Sequence, residues 1–260
     1  MNAYRTIAIR AANRAGDYIV KSFNDRDRII AKMKDLNDFV TNVDQQAEWL
    51  IMDTIKSSYP EHSILAEESG LKEGTDKDTV WVIDPLDGTR NFIDGNPHFA
   101  ISIAVKQKGK TVAAVIFDPM RDEMFSAANG SGAQLNQSRI RVAAEKKLEK
   151  SILATGFPFR SNSNVDEYLE YFSKLLPLCS DMRRAGSAAL DLAYLACGRV
   201  NGFWEFGLSD WDTAAGALIV KEAGGLVGDV KGNPYTAKSK SIMAANPHVF
   251  KQFMQAVKDL

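Results

Sequence analysis

The chain has 260 residues, 45% hydrophobic and 25% charged, with a formal net charge of −1; this is enough for one large domain or two closely packed halves of ordinary globular composition. Near-neutrality excludes a global basic field for nucleic acid, though not a local patch. No apolar run reaches the roughly 20 residues that span a bilayer, so no membrane role is expected. Cys179 and Cys197 are the only cysteines, and residues 1–10 lack the apolar core of a signal peptide, so a reducing, cytoplasmic setting is expected.

Within 3–23, Ile7, Ala8, Ala11, Ala12, Ala15, Ile19 and Val20 recur at helical spacing, and the alanines predict close packing against another helix or a sheet. Residues 24–37 are polar without a clean period and read as a loop or loose hairpin. Lys34 on it is either a solvated lysine or one directed at a site. Asn37-Asp38-Phe39-Val40-Thr41-Asn42-Val43-Asp44 leads into a second helix that Pro60 stops. Thr41 and Asp44 have capping-box spacing, so Asp44 acts beyond capping only if another group lies beside it. A short strand over 63–66 precedes Glu67-Glu68-Ser69-Gly70. Those glutamates are solvated loop residues unless this strand lies beside the next one. Residues 71–79 read as a polar, mobile loop.

Val80-Trp81-Val82-Ile83 is a buried strand, predicted to stop at Asp84 because Pro85 has no N–H and keeps its predecessor extended. Asp87-Gly88-Thr89 reads as a turn opening a helix. Two carboxylates three residues apart at a strand end suit a hard divalent cation, and free N–H groups at a helix start suit a phosphate oxygen. The same residues are also ordinary turn and cap chemistry. Strands over 99–105, 112–117 and 123–127, with turns at Lys108-Gly109-Lys110 and Asp118-Pro119, form an antiparallel meander, and 130–142 adds loop and strand.

From Ser151 strands and helices alternate. Strands are expected over 152–155, 200–206, 226–230 and 241–244, and helices over 165–176, 186–197, 213–223 and 247–260. Gly186 and the small residues after it permit either close approach of a ligand or tight helix packing. Arg183-Arg184 is the strongest local basic feature. Asp212 stands at a helix start, as Asp44 does. His62, His98 and His248 read as incidental, His98 as a surface residue.

Four pieces, in this order, carry a resemblance: Glu67-Glu68-Ser69, Asp84-Pro85-Leu86-Asp87-Gly88-Thr89-Arg90-Asn91-Phe92, Gly186-Ser187-Ala188 and Trp211-Asp212-Thr213-Ala214-Ala215-Gly216. The chain resembles the inositol monophosphatase family over nearly its whole length. Through 37–44, 152–159 and 183–194 it looks most like the bacterial SuhB-type branch. The resemblance implies a layered α/β/α/β/α sandwich (mixed α/β). Residues 1–145 would form a half with an antiparallel sheet, paired helices and most metal ligands, and 146–260 an α/β half completing the site. It implies a Mg²⁺-dependent, lithium-sensitive phosphomonoesterase, commonly a homodimer, acting on myo-inositol 1-phosphate or a similar small polyol phosphate.

By position, the resemblance places two or three Mg²⁺ ions on Glu67, Asp84, the Leu86 carbonyl, Asp87 and Asp212. It makes Glu67 and Thr89 the pair that orients the attacking water, with Asp44 bonded to Thr89. The Gly88 and Thr89 amides would hold phosphate. Asp87, Gly186, Ser187, Ala188 and Glu205 would contact the substrate. Glu68 is given no ligand role. Arg90 fills a slot where a small neutral residue is frequent, and Lys34 falls one residue from a basic position in the animal enzymes. The physics is consistent: cations neutralise a dianionic ester and acidify a water, and the carboxylates repel one another without metal. Related phosphatases for fructose bisphosphate, histidinol phosphate and nucleotide 3′-phosphates share the metal core, and Glu205 favours a polyol. The alternative implied by the SuhB-type branch is a partner of RNA polymerase and Nus factors in ribosomal RNA antitermination, with Arg183 and Arg184 as an interface.

Overall fold

The computed structural model describes residues 2–35, 38–158 and 165–260. Positions 36 and 37 of the expected hairpin, and 159 at the end of the 152–159 match, lie outside them.

Chain order gives α1 (Ala3–Asn24), β1 (Ala31–Asp35), β2 (Asp38–Thr41), α2 (Asn42–Ser58), β3 (His62–Ala66), β4 (Gly70–Lys72), β5 (Asp76–Asp87) and α3 (Thr89–Asp94). The meander follows as β6 (Ala100–Gln107), β7 (Lys110–Asp118), β8 (Glu123–Ala128), β9 (Ala133–Leu135) and β10 (Ser138–Arg139). The remainder is β11 (Ile152–Thr155), α4 (Val165–Leu175), β12 (Asp181–Arg183), α5 (Ala188–Ala196), β13 (Gly202–Phe206), α6 (Asp210–Glu222), β14 (Leu226–Gly228), β15 (Ser241–Ala245) and α7 (Pro247–Val257).

An eight-stranded sheet runs β10-β9-β8-β7-β6-β5-β3-β4, and a five-stranded sheet runs β12-β11-β13-β15-β14. Strand alternation sets the layers, because successive side chains leave opposite faces. In β5, Trp81 and Ile83 join Ile101, Ile103 and Val115 under α1 and α2, whose Ala8, Ala11, Ala12, Ala15, Ala47 and Ile51 complete that core. Val82, Ala104, Ala114 and Ile116 face the other way, onto α5 and α6. The far side of these two helices meets Ala154, Phe203, Ile242 and Ala244 of the small sheet. Leu153, Trp204, Met243 and Ala245 face outward under α4 and α7. The result is the expected α/β/α/β/α sandwich, with α5 and α6 buried between two sheets. No described helix is long and apolar enough to cross a membrane.

Three local expectations are corrected. Strand β5 does not stop at Asp84: Asp84 pairs with Ser102 and Asp87 with Ala100, so the ladder resumes after a bulge. Pro85 sits in that bulge, where no ladder N–H is required of it. Residues 71–79 are not a free loop. Gly70–Lys72 pairs antiparallel with β3, Asp76 belongs to β5, and the Gly74 N–H donates to Ser63 Oγ at 3.0 Å. His98 is half-buried rather than a surface residue; its ring edge meets Tyr194 at 6.0 Å, and its Nε2 is sealed without a hydrogen-bond partner among the described residues. Burial, helped by Arg121, lowers its pKa.

Candidate functional site

The parallel pairing of β3 with β5 aligns Ala66 with Ile83. It answers the question left by Glu67 and Glu68, because both strands deliver acidic residues to one edge. A cleft of about 190 Å³ opens there, lined by Glu67, Asp84, Leu86, Asp87, Gly88, Thr89, Gly186, Ser187, Ala188, Glu205 and Asp212 among others. Every metal- and substrate-contacting position implied by the resemblance therefore borders one space. Asp44 is buried behind it.

Each acidic side chain is held by local structure. Asp84 is 2% exposed and accepts the Leu86 N–H at 3.0 Å. Burial, then Glu67, Asp87 and Asp212, push its pKa well up. Asp87 crosses between the halves: its Oδ2 accepts from Ser187 Oγ at 2.6 Å and from the Ala189 N–H at 2.7 Å. Asp212 completes a capping box at the start of α6, accepting the Ser209 N–H at 2.6 Å. Asp44 does likewise for α2, and its second oxygen accepts from Thr89 Oγ1 at 2.9 Å. The group it needed in order to act beyond capping is Thr89. The same hydroxyl stands 3.0 Å from the Leu86 carbonyl. One proton serves two acceptors, and its donation to Asp44 leaves a Thr89 lone pair able to accept from a water. Burial raises Asp44 to about 6, against the hydrogen bonds from Thr41 and Thr89.

Lys34, though exposed, reaches the acidic edge of the site. Its Nζ bonds Glu67 at 3.0 Å and Glu68 at 2.8 Å. Burial works against its charge, but the two glutamates outweigh it and raise its pKa. Burial raises Glu68 to about 7, and its N–H donates to the buried Glu48 carboxylate at 2.9 Å. Gly88 adopts φ 98° at the start of α3, and a Cβ there would stand 3.0 Å from the His98 carbonyl. Asn91, three residues on, donates through Nδ2 to the His98 carbonyl at 2.8 Å and the Ala185 carbonyl at 2.9 Å. It clips the turn that carries Gly88 and Thr89 to the turn that carries Gly186 and Ser187.

The two arginines separate. Arg183 pairs with Asp181 at 2.5 Å on the exposed edge strand. Arg184 borders the cleft and lies 5.1 Å from the Phe157 ring centroid. Arg90 pairs with Asp94 at 2.8 Å and covers Phe39, which places it on the rim. Sequence reasoning missed Gly156, Phe157 and Asp191, which also line the cleft. A Cβ on Gly156 would overlap the Glu205 carboxylate, so glycine is needed where that side chain lies. Among the histidines, His62 is structural: it accepts from Trp81 Nε1 at 3.0 Å and stacks on Tyr59.

The donors fit a hard divalent cation in kind: all are oxygens, mostly carboxylates, and Asp84 is buried among three acids whose repulsion a bound cation would offset without protonation. Among the described residues no three acidic, histidine or cysteine side chains form a ready metal-holding group. Lys34 engages Glu67, the α5 N-terminus engages Asp87 and the α6 cap engages Asp212. The fit lies in the donor chemistry rather than in a preformed cage.

A sequence model described as the Inositol monophosphatase family matches residues 1–260. The protein named Nus factor SuhB from Escherichia coli strain K12 is 52% identical over 259 residues, covering 100% of this chain and 97% of that protein. The crystal structure of extragenic suppressor protein suhB from Bartonella henselae superposes with a TM-score of 0.95 at 40% identity, covering 99% of each chain. Inositol monophosphatase from Anabaena (Nostoc) sp. PCC 7120 gives a TM-score of 0.86 at 36% identity, covering 99% of this chain and 96% of that one.

Proposed function

The chain belongs to the inositol monophosphatase family, and from that premise we propose that it is a Mg²⁺-dependent phosphomonoesterase hydrolysing myo-inositol 1-phosphate or a similar small polyol phosphate. One observation carries the reading. Acidic groups from β5, from the end of β3 and from α6 border one cleft, with the Thr89–Asp44 hydrogen bond beside them. The ligands come from both sides of residue 145, so the two halves of the chain make one site.

Two or three Mg²⁺ ions on Glu67, Asp84, the Leu86 carbonyl, Asp87 and Asp212 would supply neutralisation of the ester's charge, acidification of a water and stabilisation of the leaving alkoxide. The protein's own groups do the rest. The Gly88 and Thr89 amides hold phosphate oxygens at the start of α3. Thr89 Oγ1, with its proton committed to Asp44, accepts from the attacking water, and Glu67 fixes that water from the other side. Asp87, itself fixed by Ser187 and Ala189, and Glu205 bind hydroxyls of the alcohol, beside the backbone of Gly186, Ser187 and Ala188. Attack is direct and in line, without a covalent phosphoenzyme. Phosphate release from a panel of phosphomonoesters tests this. Mg²⁺-dependent turnover of inositol 1-phosphate, abolished in Asp87→Asn, is expected. No turnover of any ester by folded, Mg²⁺-saturated protein would refute it.

A second reading rests on the 52% identity to Nus factor SuhB. In this reading the chain, as a homodimer, also engages RNA polymerase and Nus factors, and Arg183 on the exposed edge strand belongs to that surface together with Arg184. Asp87→Asn in cells separates the roles: loss of catalysis with ribosomal RNA synthesis intact supports the partner role. Parallel loss of both contradicts a role independent of catalysis.

A further inference from the structure

Asp191 lies on the inner side of the cleft and has no part in the mechanism above. It is 3% exposed, yet borders the cleft with Glu205, Arg184 and Asp87. It sits in the first turn of α5, where an acidic residue ordinarily offsets the helix dipole. That role does not account for it. The N-terminus of α5 is already satisfied, with the Leu190 N–H on Ser187 Oγ at 3.3 Å and the Ala189 N–H on Asp87 Oδ2 at 2.7 Å. An exposed carboxylate would serve the dipole as well, whereas burying one costs more than the dipole returns. No hydrogen bond joins the Asp191 carboxylate to another described residue. Among the described residues, Arg184 acts on its charge favourably and Asp87 unfavourably. Asp191 is in turn the strongest charged influence on Glu205. Asp191 and Glu205, two acceptor groups, thus line the same cleft as Gly186 and Ser187.

We propose that Asp191 is a specificity-determining residue: with Glu205 it accepts hydrogen bonds from hydroxyls of the alcohol that bears the phosphate, selecting esters of uncharged polyhydroxylated alcohols over monohydroxylated or anionic ones. The inference rests on reading the cleft as a phosphomonoesterase site and names a contact beyond it. A second carboxylate or phosphate on the alcohol would meet two acids. A neutral ring with several hydroxyls would offer each acid a donor, and a site built around hydroxyls rejects alcohols that lack them.

The test compares wild type, Asp191→Asn and Asp191→Ala on inositol 1-phosphate and on p-nitrophenyl phosphate, which has no hydroxyl to offer. For Asp191→Ala, kcat/KM on inositol 1-phosphate should fall at least tenfold, chiefly through KM, while p-nitrophenyl phosphate stays within about twofold. Asp191→Asn should lose less on the polyol ester, and it should unfold at the same or a higher temperature than wild type because a buried charge is removed. Equal losses on both esters, or a loss on neither, overturn the proposal. A lowered unfolding temperature in Asp191→Asn with equal losses assigns the residue to structure. Calorimetric binding of inositol 1-phosphate in Ca²⁺ keeps the two readings apart. If wild type hydrolyses neither ester, the phosphatase reading fails. Tenfold weaker binding by Asp191→Ala still upholds the Asp191 contact, and equal binding overturns it.

Discussion

Substituting Gly216 with alanine adds one methyl group where α6 crosses α5, midway between the two sheets. The new Cβ would stand 2.5 Å from Leu192 Cδ1, 2.6 Å from its Cβ and 3.0 Å from its Cγ. A terminal methyl can turn away, but Leu192 Cβ is fixed to the α5 backbone, so the helices must part. Overpacking of this kind costs about 1–3 kcal/mol, and the stiff contact argues for the upper end. Alanine regains about 1 kcal/mol of helix propensity over glycine. The net loss is about 2 kcal/mol, a fall in Tm of roughly 4–8 °C for a chain of this size. Because α6 carries Asp212 and α5 follows Ser187, the same displacement should lower kcat by about ten- to a hundredfold, the upper figure being the scale of loss from a misplacement of about 1 Å. Urea unfolding and phosphate release measure both. Leu192→Ala in the same chain removes Cγ and Cδ1 and should show a coupling of about 1 kcal/mol or more with Gly216→Ala. A Gly216→Ala protein as stable as wild type, with no coupling, would refute the reasoning.

Other consequences are equally direct. Asn91→Ala removes the clip between the His98 and Ala185 carbonyls, and should cost about 1–3 kcal/mol in unfolding and lower kcat with little change in Mg²⁺ affinity. Asn91→Asp should be worse, because it sets an acceptor against two carbonyls; an unchanged kcat in either contradicts the clip. In chelator, stability should fall as pH rises from about 4 to about 7. Burial holds Asp44 at about 6 and Glu68 at about 7, above their unfolded values near 4, so the folded state binds more protons across that window. Asp44 alone contributes on the order of 3 kcal/mol, and buried Asp84 and Asp191 and half-buried Glu205 add the same sign. Denaturant titrations that show stability rising across this window would contradict it. Lys34→Met removes a cation that competes for Glu67 and should tighten apparent Mg²⁺ affinity in thermal titrations; weaker affinity would count against that competition.

The sequence made the carboxylates legible and left their supports hidden. Asp84, Asp87 and Asp212 stand out because acid, proline, glycine and helix-start residues fall together. Trp81 and Ile83, alternating with Val82, reveal which way a strand turns its side chains. What escaped depends on long-range pairing. Whether Glu67 reached the site turned on β3 lying parallel to β5, which no local pattern states. The continuation of β5 past Pro85 needed a bulge opposite Ile101, visible only in the register with β6. The edge strand Asp181–Arg183 is charged and three residues long, so it reads as loop. Asp191 resembles any acidic residue in a first helical turn, and only its burial distinguishes it. Asn91 sits inside a recognisable motif, but its partner at Ala185 lies 94 residues away.

The most direct test of the central claim is the Mg²⁺ dependence of kcat/KM for inositol 1-phosphate in wild type and Asp84→Asn. The account predicts saturable activation by Mg²⁺ in wild type, absent or shifted to far higher Mg²⁺ in the variant. Hydrolysis that proceeds equally in chelator, or an Asp84→Asn protein with the wild-type Mg²⁺ profile, would contradict it.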